Sequence, residues 1–325
     1  MIITKTPYRI SLFGGGTDYP LWFKKHSGAV LSFAIDKFCY ISVRDLPPFF
    51  AHKYRISYSL IESTTTIDEI QHPVVREAIR KFALAHSLEV QHHGDLPAMS
   101  GVGSSSAFSV GIINSLLTLQ GKSIDNIRLA KEAINLEQNI LKEVVGSQDQ
   151  IACAVGGINF IEFQANSDWQ LFPLKITPER IAEIERRIVL LYSGNARNSS
   201  EVSKGLISNL NKKEKPMMRI LSLARESKKL ISDDSDLDVI GEMLNESWEI
   251  KKVLNPSSTN DRIEEIFSSA LKAGALGGKV LGAGGGGFCM FWVKNGQRDN
   301  FLRNMPNLVN VPIRISQKGS VIVSQ

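Results

Sequence analysis

Glycine and hydroxyl residues are concentrated in the segment 100–106, which reads Ser-Gly-Val-Gly-Ser-Ser-Ser. A predicted strand ends just before it at Leu96, and a predicted helix begins at Ser104. Glycines let backbone amides approach a phosphate closely, and the first turn of a helix adds unpaired N–H groups and the positive end of the helix dipole. The three serine hydroxyls suit helix capping, phosphate binding or contact with a cation. The segment therefore favours an anion site, and it fits equally well an ordinary serine-capped helix after a flexible turn.

Two carboxylates supply other groups that phosphoryl transfer would need. Glu137 lies on a predicted helix, and Asp149 follows twelve residues later in a turn of small residues. Phosphoryl transfer uses a magnesium ligand and often a carboxylate that orients or deprotonates the attacking hydroxyl. Arg9 and Asp18, on either side of the glycine triplet 14–16, add a cation and a further acceptor. Because solvated carboxylates are common on helices, the set indicates phosphoryl transfer only in combination with the glycine-rich segments.

Familiar nucleotide motifs are missing from the sequence. No G-x-x-x-x-G-K-[ST] occurs, and the string Gly282-x-Gly284-x-x-Gly287 precedes a predicted strand, whereas the dinucleotide fingerprint must open a helix. No acidic residue stands about 20 positions further on to bind a ribose. Both the P-loop NTPases and the Rossmann dehydrogenases are therefore disfavoured.

The elements that must position these residues form a mixed pattern. Apolar periodicity predicts strands over 2–13, 29–44, 88–96 and 156–163, and helices over 72–87, 104–120 and 127–144. A charged helix over 177–187 and a strand over 188–192 are followed by predicted helices over 216–231, 237–254 and 261–273, and by strands over 287–293 and 311–315. A β-rich first half and a helix-rich second half predict the α+β class, with a boundary near residue 185.

Composition excludes several classes of protein. Hydrophobic residues make up 43% and charged residues 22%, which predicts a globular chain with a sizeable core. The net charge, 38 − 33 = +5, is spread along the chain, so we expect small phosphorylated ligands and no nucleic-acid partner. The three cysteines lie far apart, which argues against a disulfide framework and a zinc site. With no signal peptide and no run of 18 apolar residues, a cytoplasmic protein without a membrane partner is expected.

Three segments together resemble the motifs of the GHMP kinases, the family of galactokinase, homoserine kinase, mevalonate kinase and phosphomevalonate kinase. They are 7–19 (PYRISLFGGGTDY), 96–107 (LPAMSGVGSSSA) and 279–288 (KVLGAGGGGF), in the order and at the spacing of the family. The resemblance covers nearly the whole chain. It implies a two-domain architecture with an N-terminal α/β domain (1–185), a C-terminal ferredoxin-like domain (186–325), and an active site between them that uses ATP and Mg²⁺.

The resemblance also implies roles for individual residues. Asp149 matches the catalytic aspartate, as a base or only as a group that orients the hydroxyl, and Arg9 matches a basic residue that lowers the pKa of that hydroxyl. Ser105 and Glu137 match the Mg²⁺ ligands. The expected nucleotide-binding residues are Pro97, Met99, Ser100, Gly101, Val102, Gly103, Ser104, Ser105 and Ser106. The expected substrate-binding residues are Gly15, Gly16, Thr17, Asp18, Gly284 and Gly285.

Within the family, the first motif narrows the choice of the substrate that accepts the phosphoryl group. The segments 14–18 and 273–279 resemble those of the kinases that phosphorylate the anomeric C1 hydroxyl of D-glycero-D-manno-heptose 7-phosphate. Galactokinases carry Glu-His where Gly15 and Gly16 stand, which argues against galactose. L-fucose kinases share part of the signature, and a free-sugar 1-kinase, a kinase of an isoprenoid or amino-acid alcohol, and a non-catalytic sugar-binding relative are the alternatives. Arg197 is the expected ligand of a distal phosphate, unless its segment is only an exposed serine-capped loop.

Overall fold

The computed structural model describes residues 1–82, 87–166, 168–194, 202, 205, 207, 209 and 213–324. Helices and strands are mixed along the chain, and the predicted α+β class is confirmed. Within the described ranges the strands form two sheets, one of eight strands and one of four. Arg197 lies outside the described residues, so its predicted role stays a prediction.

The larger sheet is organised around one long strand. Its members are β1 (Ile2–Phe13), β2 (Gly28–Asp45), β3 (Tyr54–Ser57), β4 (Ile61–Thr64), β5 (Leu88–Gly94), β6 (Ile158–Phe163), β7 (Trp169–Pro173) and, from the end of the chain, β12 (Val321–Ser324). Strand β2 pairs with β1 along one edge, and on the other edge first with β6 and then with β5. The start of β2 is buried on both faces, as its unbroken apolar run requires. Because β2 is buried and paired along both edges, its pairing with β1 fixes the register of β1, which carries Arg9.

Helices cover this sheet and meet at its centre. They are α1 (Pro20–His26), α2 (Pro73–Lys81), α3 (Ser104–Leu119), α4 (Asn126–Ile134) and α5 (Gln148–Val155). A run of consecutive residues of α3, from Ser106 to Leu116, is buried, because the helix packs on β1 and β2 and is in turn covered by α4 and α5. An all-round buried helix of this kind holds its N-terminus in a fixed place.

The second sheet is antiparallel and lies in the C-terminal half. Its strands are β8 (Ile188–Tyr192), β9 (Ala275–Val280), β10 (Phe288–Val293) and β11 (Val309–Asn310), in the order β11-β8-β10-β9. The helices of this half include α6 (Pro178–Arg187), α7 (Glu214–Ser232), α8 (Asp238–Leu254), α9 (Asp261–Lys272) and α10 (Arg298–Arg303). Strand β12 returns to pair with β1 in the first sheet, and Ile315 bridges Ile35. The division of the chain at residue 185 stays a prediction.

Several elements differ from those predicted. Strands β3, β4, β7 and β12 and helices α1, α5 and α10 have no predicted counterpart. Strand β9 was not expected because it contains Gly277 and Gly278, which disfavour strands; a Cβ at Gly277 would lie 1.9 Å from the carbonyl oxygen of Gly241, so glycine there lets α8 pack on the strand. The helix predicted over 127–144 instead ends at Ile134 and continues as a π-helical turn, Asn135–Ile140.

The strand predicted over 311–315 is wrong, since strand β11 ends at Asn310. Beyond it, Val311 donates a single hydrogen bond to the Leu190 carbonyl of β8, and Ile315 forms an isolated bridge with Ile35. Among the helices of the described ranges, none has the length and apolar character needed to cross a bilayer.

Candidate active site

The loop before α3 has the backbone that an anion site requires. Gly101 and Gly103 adopt φ values of +87° and +75°. Met99, which lies between strand β5 and Gly101, adopts a φ of +57°. Gly103 is the N-cap of α3, and the hydroxyl of Ser104 accepts a hydrogen bond from the amide of Met99 at 3.3 Å. Because the α3 N-terminus has no side-chain cap, its first amides are free to meet a ligand. We call residues 97–106 the phosphate loop.

Arg9 connects the phosphate loop to Asp149. Its Nε and Nη2 donate to the two carboxylate oxygens of Asp149 at 2.6 and 2.5 Å, a bidentate pair. Its Nη1 donates to the carbonyl of Gly101 at 2.7 Å, and its backbone amide donates to the carbonyl of Val102 at 3.0 Å. Arg9 is buried, whereas a quarter of the Asp149 side chain is exposed. The pair therefore presents a carboxylate to solvent beside the phosphate loop.

Asp18 lies on the other side of Asp149. Its carboxylate accepts hydrogen bonds from the amides of Gly16 at 2.9 Å and Gln148 at 3.3 Å. Burial, together with the charge of Asp149, raises the pKa of Asp18 to about 6. A Cβ at Gly146 would lie 1.9 Å from its Oδ2, so the small-residue turn before Asp149 makes room for this carboxylate.

The hydroxyl of Thr17 fixes the turn that carries Asp18 to the start of strand β2. The Thr17 hydroxyl donates to the carbonyls of Gly14 and Ala29, and it accepts from the amide of Ala29. Thr17 is therefore buried in the turn, and the predicted contact of Thr17 with a substrate stays a prediction.

Glu137 is buried behind the phosphate loop. It lies in the π-helical turn, a distortion of helices that recurs at functional sites. Its Oε2 accepts from the Ser106 hydroxyl at 3.2 Å and from the Gln150 amide at 2.5 Å. Among the described residues its Oε1 forms no hydrogen bond of good geometry. Burial raises the pKa of Glu137 to about 7, although the nearby Ser109 hydroxyl acts to lower that pKa. A buried carboxylate oxygen without a well-formed hydrogen bond is the kind of group that a cation would satisfy.

The third glycine-rich segment packs directly on the phosphate loop. A Cβ at Gly282 would lie 2.6 Å from the Cα of Gly101, and a Cβ at Gly287 would lie 2.5 Å from the carbonyl oxygen of Ser100. The amide of Phe288 also donates to that Ser100 carbonyl at 3.1 Å. Only glycine permits this approach of two backbones.

Several predicted site residues stand apart from this centre. Gly284 and Gly285 contact Ser258 instead of Asp18 or Asp149; the amide of Gly285 donates to the Ser258 carbonyl at 2.6 Å. Ser105 is exposed on the first turn of α3, and it is Ser106 whose hydroxyl reaches Glu137. The roles of Ser105, Gly284 and Gly285 stay predictions.

Sequence reasoning missed other residues near the centre. Gln150 holds Glu137 together with Ser106, which was expected to bind nucleotide and not Glu137. The ammonium groups of Lys251 and Lys279 lie behind the glycine loops. Lys279 stands at the start of the third motif, which was a usable signal. Lys251 stands in an ordinary amphipathic helix that gave none.

Comparisons with known proteins decide the family. Residues 71–157 match the model for the GHMP kinases N terminal domain, and residues 223–310 match the model for GHMP kinases C terminal. A D-glycero-alpha-D-manno-heptose 7-phosphate kinase of Campylobacter jejuni is 30% identical over 316 residues, which are 93% of this chain and 92% of that protein. The chain belongs to the GHMP kinases.

Two further proteins are similar to this chain at lower identity. A crystal structure of a D-glycero-D-manno-heptose 1-phosphate kinase from Bacteroides thetaiotaomicron superposes with a TM-score of 0.82 at 24% identity, over 100% of this chain and 99% of that one. This likeness shows the fold. A bifunctional fucokinase/GDP-fucose pyrophosphorylase of Arabidopsis thaliana is 24% identical over 91% of this chain, which spans 30% of that longer protein. The two-domain GHMP kinase architecture is confirmed, and the protein is a sugar kinase of the phosphotransferase class.

Proposed function

We propose that this kinase transfers the terminal phosphoryl group of ATP to the anomeric C1 hydroxyl of D-glycero-D-manno-heptose 7-phosphate. The product would be the 1,7-bisphosphate, a precursor of nucleotide-activated heptose. The observation that carries the proposal is the 30% identity to a kinase of that name across 92% of its length. The glycines at 15 and 16 agree with it, since they leave no Glu-His pair of the galactokinase type.

The phosphate loop and Glu137 fit ATP and Mg²⁺. The phosphates of ATP would lie against the amides of the loop and of the first turn of α3, where the Cβ-free positions of Gly101 and Gly103 leave the backbone accessible. The buried carboxylate of Glu137 would hold Mg²⁺. Ser105, the second expected ligand, is exposed on the first turn of α3, and its role as a ligand stays a prediction. When bound, Mg²⁺ supplies positive charge to the phosphate oxygens. Ser106 and Gln150 orient the Glu137 carboxylate through its Oε2.

Asp149 and Arg9 would act on the attacking hydroxyl. Each carboxylate oxygen of Asp149 accepts one hydrogen bond from Arg9 and keeps a further lone pair, which can accept the hydrogen bond of the C1 hydroxyl. The C1 oxygen forms a bond to the terminal phosphorus, the bond from that phosphorus to ADP breaks, and the hydroxyl proton passes to Asp149. The charge of Arg9 favours the developing alkoxide, and the loose transition state makes positioning the main contribution.

Asp18 would bind the sugar, because a carboxylate can accept hydrogen bonds from two neighbouring hydroxyls. Its pKa of about 6 makes this binding dependent on pH. Protonation below that value removes acceptor capacity, so we expect the KM for the sugar to rise by roughly tenfold per pH unit below about 6 and to be constant above it. The KM for ATP, measured in the same assays, should not follow this profile. A sugar KM that is flat between about pH 5 and pH 8 would contradict the role of Asp18.

A second candidate function is the 1-phosphorylation of a free sugar such as L-fucose. It is favoured by the 24% identity to the Arabidopsis fucokinase over 91% of this chain. A non-catalytic sugar-binding role is disfavoured by the intact Arg9–Asp149 pair and the buried Glu137.

A sugar panel distinguishes these functions. ADP release is measured with ATP, Mg²⁺ and, in turn, heptose 7-phosphate, unphosphorylated heptose, L-fucose, D-galactose and mevalonate. We expect kcat/KM for heptose 7-phosphate to exceed that for unphosphorylated heptose by about tenfold or more, because Arg197, the expected ligand of the distal phosphate, would pair with it. Equal values for the two heptoses, or a preference for fucose, would contradict the sugar-phosphate assignment and leave a free-sugar kinase.

A further inference from the structure

Two lysines of the C-terminal half, the buried Lys279 and the half-buried Lys251, donate hydrogen bonds to main-chain carbonyls. Lys251 of α8 donates to the carbonyls of Val280 at 3.0 Å and Gly282 at 2.7 Å. Lys279 of β9, itself 7% exposed, donates to the carbonyl of Leu12 at 3.1 Å. In the described part of the chain neither ammonium forms an ion pair with a carboxylate. Removing a cation from water without a neighbouring anion raises the free energy of the folded protein, so another interaction is expected to compensate this charge.

The carbonyls that accept these hydrogen bonds belong to the segments that build the active site. Val280 and Gly282 lead into the third glycine-rich segment, whose Gly282 packs on Gly101 of the phosphate loop. Leu12 lies on β1, three residues from Arg9, which itself donates to the carbonyl of Gly101. The two lysines therefore hold, from the C-terminal side, the two segments that carry Arg9 and support the phosphate loop.

The charges near these lysines are positive. Arg9 faces Lys279, while Lys279, Arg9 and the Cys289 thiol face Lys251. Burial and the charge of Arg9 lower the pKa of Lys279 to about 8, and burial with the charges of Lys279 and Arg9 lowers the pKa of Lys251 well below its usual value. An anion bound at the phosphate loop would offset this repulsion. A triphosphate is the one anionic group that the proposed reaction brings to this place.

We propose that Lys251 and Lys279 are positioning residues for the polyphosphate of the nucleotide: they fix the third glycine segment and β1 against the phosphate loop and supply positive charge that the bound phosphates compensate. This inference rests on the proposed function only in placing ATP at the phosphate loop; it does not depend on which sugar is the acceptor. If the lysines only bonded the carbonyls, their replacement would lower the stability of the unliganded protein and leave its stabilisation by a polyphosphate unchanged.

The test compares Lys279→Met and Lys251→Met with three controls. Lys279→Arg keeps the charge at the same position. Lys252→Met changes the next lysine of α8, which is paired with Glu249 and Glu264, and Lys294→Met changes an exposed lysine just after β10. Each variant is melted with and without inorganic tripolyphosphate, and the KM values for ATP and for the sugar are measured separately.

We expect tripolyphosphate to raise the melting midpoint of the wild type and of the three controls, and to raise that of the two methionine variants by less than half as much. The KM for ATP should rise by about tenfold in both methionine variants, while the sugar KM stays within about twofold. Equal midpoint shifts in the wild type and in Lys279→Met, or a wild type that tripolyphosphate does not stabilise, would overturn the proposal.

The wild type supplies a second test that needs no variant to fold. The charged form of Lys279 prevails below its pKa of about 8, so the KM for ATP should rise as the pH is raised from about 7 to about 9. A KM for ATP that is constant over that range overturns the proposal. Failure of the proposed function would give a different result: the protein would show no activity on heptose 7-phosphate, while the tripolyphosphate shifts would remain.

Discussion

Replacing Asp149 by asparagine is expected to lower kcat by about 10²–10⁴-fold and to leave the dissociation constant of ATP within about threefold of the wild type. The substitution keeps the shape of the side chain and removes the charge that pairs with Arg9 and the lone pairs that would accept the hydroxyl proton. The loss corresponds to about 3–5 kcal/mol of transition-state stabilisation. Turnover comes from the ADP assay with saturating sugar, and ATP affinity from titration calorimetry.

The matched control is Asp299→Asn, which makes the same chemical change at an exposed position in the first turn of α10. It should leave both kcat and ATP affinity unchanged. Turnover of Asp149→Asn within about fivefold of the wild type would refute the catalytic role of this carboxylate. A parallel loss of ATP affinity would instead indicate that the Arg9–Asp149 pair mainly holds the phosphate loop through Gly101.

Glu137→Gln is expected to raise the Mg²⁺ concentration for half-maximal activity by about tenfold to 100-fold. Glutamine can still accept hydrogen bonds from Ser106 and Gln150, but it places a neutral amide where the buried carboxylate now lies. At saturating Mg²⁺ much of the activity should return, because the fold and the phosphate loop are intact. The measurement is a Mg²⁺ titration of the ADP assay at fixed ATP and sugar.

Glu132→Gln is the control for this prediction, since Glu132 lies on the preceding helix and pairs with Lys81 at the surface. Its Mg²⁺ dependence should match the wild type. If the Glu137→Gln titration also overlies that of the wild type, the predicted metal site is wrong, and the raised pKa of Glu137 reflects only its burial.

Much of this site could be predicted from the sequence, because clusters of glycine mark places where the backbone adopts positive φ or approaches another backbone closely. A helix that begins at Ser104 after Gly101 and Gly103 is a local pattern, and the structure confirms that helix to within a residue of its predicted end. The partnership of Arg9 with Asp149 is not local, since 140 residues separate them. Spacing alone did not give it, and only the resemblance to the GHMP kinases placed both in one site.

The elements that were missed depend on tertiary contacts. The π-helical turn that directs Glu137 inward has no signal in a helix-forming sequence, because it is fixed by the burial of that side chain against Ser106 and Gln150. Strand β9 carries two glycines that only the approach of α8 explains. Lys251 looks like any solvent-facing lysine of an amphipathic helix, and its role emerges from two carbonyls that the chain brings to it some thirty residues later.

The central proposal is that the kinase transfers the terminal phosphoryl group of ATP to the anomeric hydroxyl of a sugar phosphate. Phosphorus NMR of the product formed from heptose 7-phosphate, ATP and Mg²⁺ tests it most directly, because an anomeric phosphate and a C7 phosphate give separate resonances. We expect one new anomeric phosphate resonance per ADP released, with the original C7 phosphate retained. A new phosphate at any other carbon, or no transfer to this sugar while another sugar is phosphorylated, would contradict it.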